Sequence, residues 1–364
     1  MKAKELISIL EEMAPPEYSM EWDNSGLQVG NLGNEIKKVG IALTPTLKII
    51  KEAIDKQCEI LITHHPLIFK PLKQISTDSP IGKSIETALK NNLCIYTMHT
   101  NFDSSSAGLN YLIAQELGLD NIDVLHVTQN IEILKLVTFV PEEYTLKVIN
   151  AISDVGAGRI GKFSHCSYIT AGIATFVNES NNHIEDLEIP NKEPEDRLEV
   201  IVPRNNLEKV ITVLKEIHPY KDIVYDIYKL EDKSHKIGIG TIGEFYTPFP
   251  LSEVIKMVKR NLHIDNLSYV GDKNKMIDKV AICTGSGGSF MELANKKKAN
   301  LYITGDIKYH TAIDAKELDI ALIDAGHHGT EIIAVPFLAK FIKKQFNDLE
   351  IHELIEENPF TYSD

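Results

Sequence analysis

The chain is short of several things, and each shortage excludes a class of protein. Basic residues are outnumbered: 38 Lys and Arg stand against 52 Asp and Glu, a formal net charge of −14. General nucleic-acid binders take their affinity from neutralising phosphates, so this balance argues against one. Cysteine is scarce. Cys58, Cys94, Cys166 and Cys283 are far apart, form no CxxC pair, and read as reduced core residues of a cytoplasmic protein. No apolar run approaches the roughly 20 residues needed to span a bilayer. The opening "MKAKELISILEEMAPPEYSM" reads as a short amphipathic helix with acidic residues, not as a cleavable leader. Tryptophan occurs once, as Trp22. What remains is ordinary for a globular protein, with 43% hydrophobic and 25% charged residues, and 364 residues are enough for two domains.

Two patterns alternate in the first third. "KKVGIALTPT", "CEILIT" and "LCIYTMHT" are short β-branched apolar runs, whereas "LKIIKEAIDK", "IGKSIETALKNN" and "SAGLNYLIAQELG" have helical spacing. The last third repeats the style with "KVAICTG", "NLYITGD" and "DIALIDAG" as strands. "SFMELANKKK", "YHTAIDAKEL" and the segment 332–345 are its helices. Such alternation predicts βαβ units and a mostly parallel sheet. The middle, about 131–230, has a split βαβ (ferredoxin-like) order with one extra strand. It includes a strand pair, "KFSHCSYIT" and "GIATFVN", and a solvated excursion, "NESNNHIEDLEIPNKEPEDR". The expected architecture is a layered α/β domain built from 1–128 and 236–364, interrupted by an α+β domain over 129–235.

In open α/β sheets ligands gather at the carboxyl ends of strands. His64 and His65 follow "CEILI", His99 and Asp103 follow "LCIYTM", and His327, His328 and Glu331 follow "DIALIDAG". Three strand ends, all at the same end of a sheet, thus deliver histidines and carboxylates together, which points to a shared metal site. Mixed imidazole and carboxylate donors favour Zn, Fe, Mn or Co over Mg or Ca. The donors exceed the needs of one ion, so two fit better, with a carboxylate such as Asp103 bridging them and a hydroxide held between. In the third cluster Glu331 shares a helical face with His327 (i+4) and with His328 (i+3), and spacing does not choose between them. The paired histidines of "THHP" would point to opposite faces of a regular strand. A bend into Pro66 lets both aim into one crevice, each at a different ion.

Other motifs are less specific. In "YITGDIKYH", Asp306 is expected to cap the next helix, and His310 to bind substrate or shuttle a proton. "TGSGGS" at 284–289 fits a tight strand-to-helix turn, or a loop touching a substrate phosphate. "EWDNSGLQVG" reads as a turn packed near the site. His165 and His218, outside any donor cluster, read as core or interface residues.

Taken together, "WDNSGLQVG", "LITHHPLIF", "HTNFD", "YITGDIKYH" and "DAGHHGTE" resemble the Nif-three-like family, the bacterial GTP cyclohydrolase I type 2 homologues, across essentially the whole chain. "GAGRIGKFSHCSY" and "HPYKDIVYDIY" are similar to the PII/CutA-like insertion of its longer members. The resemblance implies a dinuclear site of divalent transition metals held by His64, His65, Asp103, His327 and Glu331, and a toroidal homohexamer. The family usually has an aromatic residue where this chain has His328, which favours His327 as the ligand. The implied activity is metal-dependent hydrolysis of a small molecule. In its GTP cyclohydrolase form this is guanine ring opening with loss of formate, with His99, His310 or His328 as proton shuttles. The alternative is a non-enzymatic metal-binding or regulatory protein with a PII-like sensing module.

Overall fold

The computed structural model describes residues 1–160, 163–176 and 191–361, with 232–235 described as backbone alone. The β-branched runs of the first third become buried strands. Lys38–Ala42, Ile60–Thr63 and Cys94–Thr97 pair in parallel, with Glu350–Glu353 parallel on one side and Gly26–Val29 antiparallel on the other. Every residue of Ile60–Thr63 and Cys94–Thr97 is buried, as expected of parallel strands covered on both faces. In the register Ile60 faces Cys94 and Thr63 faces Thr97, so the two strands end level and their following residues leave from one edge.

A second sheet carries the other half of the chemistry. Met276–Ile282, Leu301–Thr304 and Ala321–Asp324 are parallel, flanked by Ser268–Val270 and by part of the long strand Tyr225–Pro250, both antiparallel. Thr304 pairs with Asp324, so these strands also end level. The single mostly parallel sheet expected from the sequence is therefore two sheets. Alternating βα pattern fixes that strands pair, not which ones share a sheet. Helices cover them for reasons visible locally. Thr46 and Ser79 cap the helices Leu47–Asp55 and Pro80–Lys90, accepting from the Ile49 and Gly82 amides, and Pro80 sits at the first helical position. The helix Ala334–Gln345 buries Val335, Leu338 and Ile342 in a cluster shared with Ile41, Ile62 and Tyr96.

The chain divides into two compact units, Met1–Gln129 with Ile237–Asp364, and Asn130–Lys236. The boundaries fall within the strands Asp120–Val140 and Tyr225–Pro250. The second unit runs strand, helix (Glu142–Asp154), strand (Ser167–Phe176), strand (Asn191–Pro203), helix (Leu207–Ile217), strand. Leu136, Val148, Ile152, Leu198, Val210 and Leu214 form its core. Where a strand pair was expected, Ser167–Phe176 is one continuous strand, while Lys162 and 177–178 lie outside the described residues. Of the expected solvated excursion, 178–190 is also outside them. From Asn191 onward it is strand, with Phe176 opposite Asn191 and Ile173 opposite Pro194. Its first four residues, 191–194, are exposed on both faces, so ladder hydrogen bonds hold that part where apolar periodicity gives no signal. No helix among the described residues is long and apolar enough to cross a membrane.

Candidate metal centre

His64 and His65 follow directly on the buried strand Ile60–Thr63, where the chain bends. The bend turns both rings the same way, with centroids 5.2 Å apart. His99 precedes the short helix Thr100–Asp103, whose single turn carries Asp103. These groups leave the first sheet. His327 and Glu331 stand at either end of the helix His327–Glu331 beyond the second sheet. The expected common strand end is thus the meeting of two sheets' edges.

Glu331 is the hub. Its Oε2 lies 2.9 Å from His65 Nε2 and 3.1 Å from His327 Nε2, and its Oε1 lies 3.7 Å from His64 Nε2. Asp103 Oδ1 is 3.9 Å from the same His64 nitrogen and accepts from the Thr284 hydroxyl at 3.3 Å. His64 is 0% exposed, and its Nε2 is buried with no hydrogen-bond partner among the described residues. Two triples of donor atoms lie close together, His64 with His65 and His99, and His65 with His327 and Glu331; they share His65.

Four imidazoles repeat one arrangement. Nδ1 of His64 donates to the Met98 carbonyl at 2.8 Å, that of His99 to Asp23 at 2.7 Å, and that of His327 to Asp306 at 2.7 Å. Nδ1 of His65 pairs with the Thr44 hydroxyl at 2.9 Å. Each ring is thereby fixed in orientation through Nδ1, and Nε2 of His64, His65 and His327 is turned toward the carboxylates, as the outer partners of metal-bound histidines do. Among the described contacts only imidazoles neutralise the buried Glu331 and the partly buried Asp103. Burial by itself would lower the His64 pKa, but Asp103 and Glu331 raise it to about 9. The Glu331 hydrogen bond likewise raises His327 to about 9. His65 is lowered, by burial and by its cationic neighbours. Burial and the Glu331 charge raise Asp103, whereas the three imidazoles, acting against burial, hold Glu331 well below the carboxylate range. In the absence of metal, protons supply the positive charge that this cluster of acids requires. Buried His and carboxylate donors with one orphaned nitrogen fit a transition-metal cation.

The structure separates His327 from His328. The His328 ring turns away, and its Nε2 donates to the Glu356 carbonyl at 3.0 Å. His310 is exposed and packs edge-on to Tyr309, 5.5 Å between centroids. Asp306 does not cap the following helix, whose N-cap residue is Lys308. It adopts a left-handed backbone, φ 56°, and gives its carboxylate to His327 instead. The "TGSGGS" loop is a tight turn against the cluster. The Gly285 and Gly287 amides donate to the Thr330 and Thr304 hydroxyls, and so are spent within the fold. Gly285 has φ +61°, and a Cβ there would lie 2.3 Å from Glu331 Oε1, so only glycine fits. His218 is a core residue, donating to the Phe139 carbonyl at 3.0 Å, whereas His165 is exposed.

Asp23 is the functional residue that sequence reading passed over. It accepts from His99, from the Thr100 amide and hydroxyl, and from Ser25. These bonds outweigh burial and hold its carboxyl far below the usual range. Its signal was its place beside the lone Trp22, whose ring lies 6.1 Å from that of His99. Thr44 carried no signal.

The family model for DUF34/NIF3 (NGG1p interacting factor 3) matches residues 1–359. The chain is 34% identical over 371 residues to the "GTP cyclohydrolase 1 type 2 homolog" of Bacillus subtilis (strain 168), covering 100% of this chain and 99% of that one. It is 35% identical over 363 residues to the protein of that name from Halalkalibacterium halodurans, covering 98% of each. The solved structure of a Bacillus cereus protein related to NIF3 superposes with a TM-score of 0.84 at 35% identity, over 100% of this chain and 99% of that one. With the family model matched almost end to end and the fold shared with a NIF3-related protein, the chain belongs to the DUF34/NIF3 family.

Proposed function

We propose that His64, His65, Asp103, His327 and Glu331 hold two divalent transition-metal ions (Zn, Fe, Mn or Co) and that the chain is a metal-dependent hydrolase. The observation that carries this reading is the buried Nε2 of His64, without a hydrogen-bond partner among the described residues and facing the Asp103 and Glu331 carboxylates. A buried polar atom left unpaired costs roughly 1–3 kcal/mol, which a bound cation would offset. Such ions supply Lewis acidity and a water-derived nucleophile usable at neutral pH. The protein's own part is to hold the donors apart at fixed orientation and to move a proton. His99 is the best placed for that, oriented by Asp23 with its ring 5.2 Å from that of His64. His310 and His328 are candidates of lower rank, the one exposed and the other held by Glu356.

The names of the relatives make GTP the first substrate to try, with guanine ring opening and formate release as the reaction. The strand–helix–strand–strand–helix–strand order of the second unit supports reading it as a ferredoxin-like, PII/CutA-like module. Assembly into a homohexamer is part of the same proposal. Its support is the edge strand Ser167–Phe176, which exposes Tyr168 and Ile173, each 68% accessible, as surface for another copy.

Metal analysis of freshly purified protein is expected to give close to two ions per chain, and Asp103→Ala to lose most of them. Full occupancy in that variant would reject the site as assigned. GTP consumption with formate release that vanishes in His65→Ala supports the cyclohydrolase reaction. No turnover across a panel of nucleotides and phosphoesters would move the reading to a non-enzymatic metal-binding protein.

A further inference from the structure

The segment after the last strand of the first sheet reaches both halves of the donor cluster. Glu350–Glu353 pairs in parallel with Lys38–Ala42, Leu354 is buried, and its amide donates to the Ile41 carbonyl at 2.8 Å. Two residues on, Glu356 makes two contacts of different kinds. Its Oε1 accepts the backbone N–H of Thr44, and its backbone carbonyl accepts from His328 Nε2 at 3.0 Å. The Thr44 hydroxyl sits in turn on Nδ1 of His65 at 2.9 Å. His328 is next to His327 on the helix that also carries Glu331. One residue therefore ties Thr44, which follows Lys38–Ala42 in the first sheet and holds the His65 ring, to the helix bearing His327 and Glu331, from the second. The other carboxylate oxygen, Oε2, is buried with no hydrogen-bond partner among the described residues. A contact kept for stability alone would not strand such an oxygen, because an unpaired buried acceptor is costly.

We propose that Glu356 is a positioning residue of the metal centre, a clasp that sets the spacing between its His65 and His327 halves. The proposal rests on the reading of those histidines as donors, and it gives His328 a holding role in place of a proton-carrying one.

The test uses the full chain with Glu356→Ala, Glu356→Gln and His328→Phe. Two quantities are read: the ¹⁵N signals of the His65 ring in metal-free protein, and Zn²⁺ affinity by chelator competition. Glu356→Ala is expected to weaken Zn²⁺ about tenfold or more, the size seen when outer partners of ligands are removed. It is also expected to shift the His65 ring signals toward a tautomer mixture. Glu356→Gln, whose amide oxygen still accepts from Thr44, should match the wild type in both readouts. His328→Phe should weaken Zn²⁺ in the same direction by opening the other arm. Wild-type affinity and unchanged His65 signals in Glu356→Ala would overturn the clasp, as would a Glu356→Gln variant behaving like Glu356→Ala. If the wild-type chain binds no Zn²⁺, the metal reading fails by itself, and the His65 signals alone decide the clasp.

Discussion

Glu331 is buried, meets three imidazoles and stands near the partly buried Asp103 in a place without Lys or Arg contacts among the described residues. The consequence is a centre in which protons and metal compete for the same nitrogens. His64 and His327 keep their protons until about pH 9 in the metal-free protein. A cation arriving below that pH must expel them, so affinity rises with pH, by about tenfold per unit for each proton displaced, and flattens above about 9. Isothermal titration with Zn²⁺ across pH 6.5 to 9.5 checks the sign: affinity that is flat or falls with pH contradicts it. Gly285 gives a sharper test at a single atom. Gly285→Ala would drive a methyl into Glu331 Oε1 and to within 3.3 Å of His327 Nε2, on a backbone of φ +61° that alanine adopts with strain. The variant is expected to lose metal by tenfold or more on the scale of disturbed ligand shells. Metal content after dialysis reads this directly. Asp23→Ala should free the His99 ring while leaving the metal content near that of the wild type, a split that separates orienting His99 from holding ions.

At the scale of elements, the centre depends on strands that end level. Ile60–Thr63 is buried on both faces, Ile62 in one core cluster and Leu61 in another. Neither face can relax onto solvent, so Leu61→Ala is expected to destabilise the fold by about 2–5 kcal/mol. A urea midpoint near that of the wild type would show that the strand is not the anchor claimed here. The pairing of strands was legible where apolar runs alternate with helical spacing, as at "CEILIT" and "LCIYTM". Gly26–Val29, within the stretch read as a turn, and the polar strand from Asn191 were not legible, because ladder hydrogen bonds leave no mark in side-chain periodicity.

At the scale of the molecule, a cation that binds only the folded state raises its stability by mass action. Removing metal with a chelator should therefore lower the unfolding temperature of the chain, and adding Zn²⁺ or Fe²⁺ back should restore it. Identical melting with and without chelator would leave the centre without an energetic role. If the chain assembles as a homohexamer of 40.8 kDa subunits, native mass measurement should find a particle of about 245 kDa. A monomer or dimer at micromolar concentration would reject that part of the proposal.

The donors were readable from the sequence because chemistry restricts which residues bind transition metals, and strand ends are where α/β folds present them. His64, His65, His99, Asp103, His327 and Glu331 could be singled out on those grounds, and the i, i+4 relation of His327 to Glu331 follows from helix geometry. The choice between His327 and His328 belonged to the tertiary structure, since both reach Glu331 by spacing and only the distant Glu356 carbonyl draws one of them away. So did the anchoring of each ring by Met98, Thr44, Asp23 and Asp306, all four at least 21 residues from the histidine they hold. The division of one expected sheet into two was decided there as well. Such partnerships join residues far apart in the chain, and local pattern carries no information about which distant hydrogen-bond acceptor will arrive.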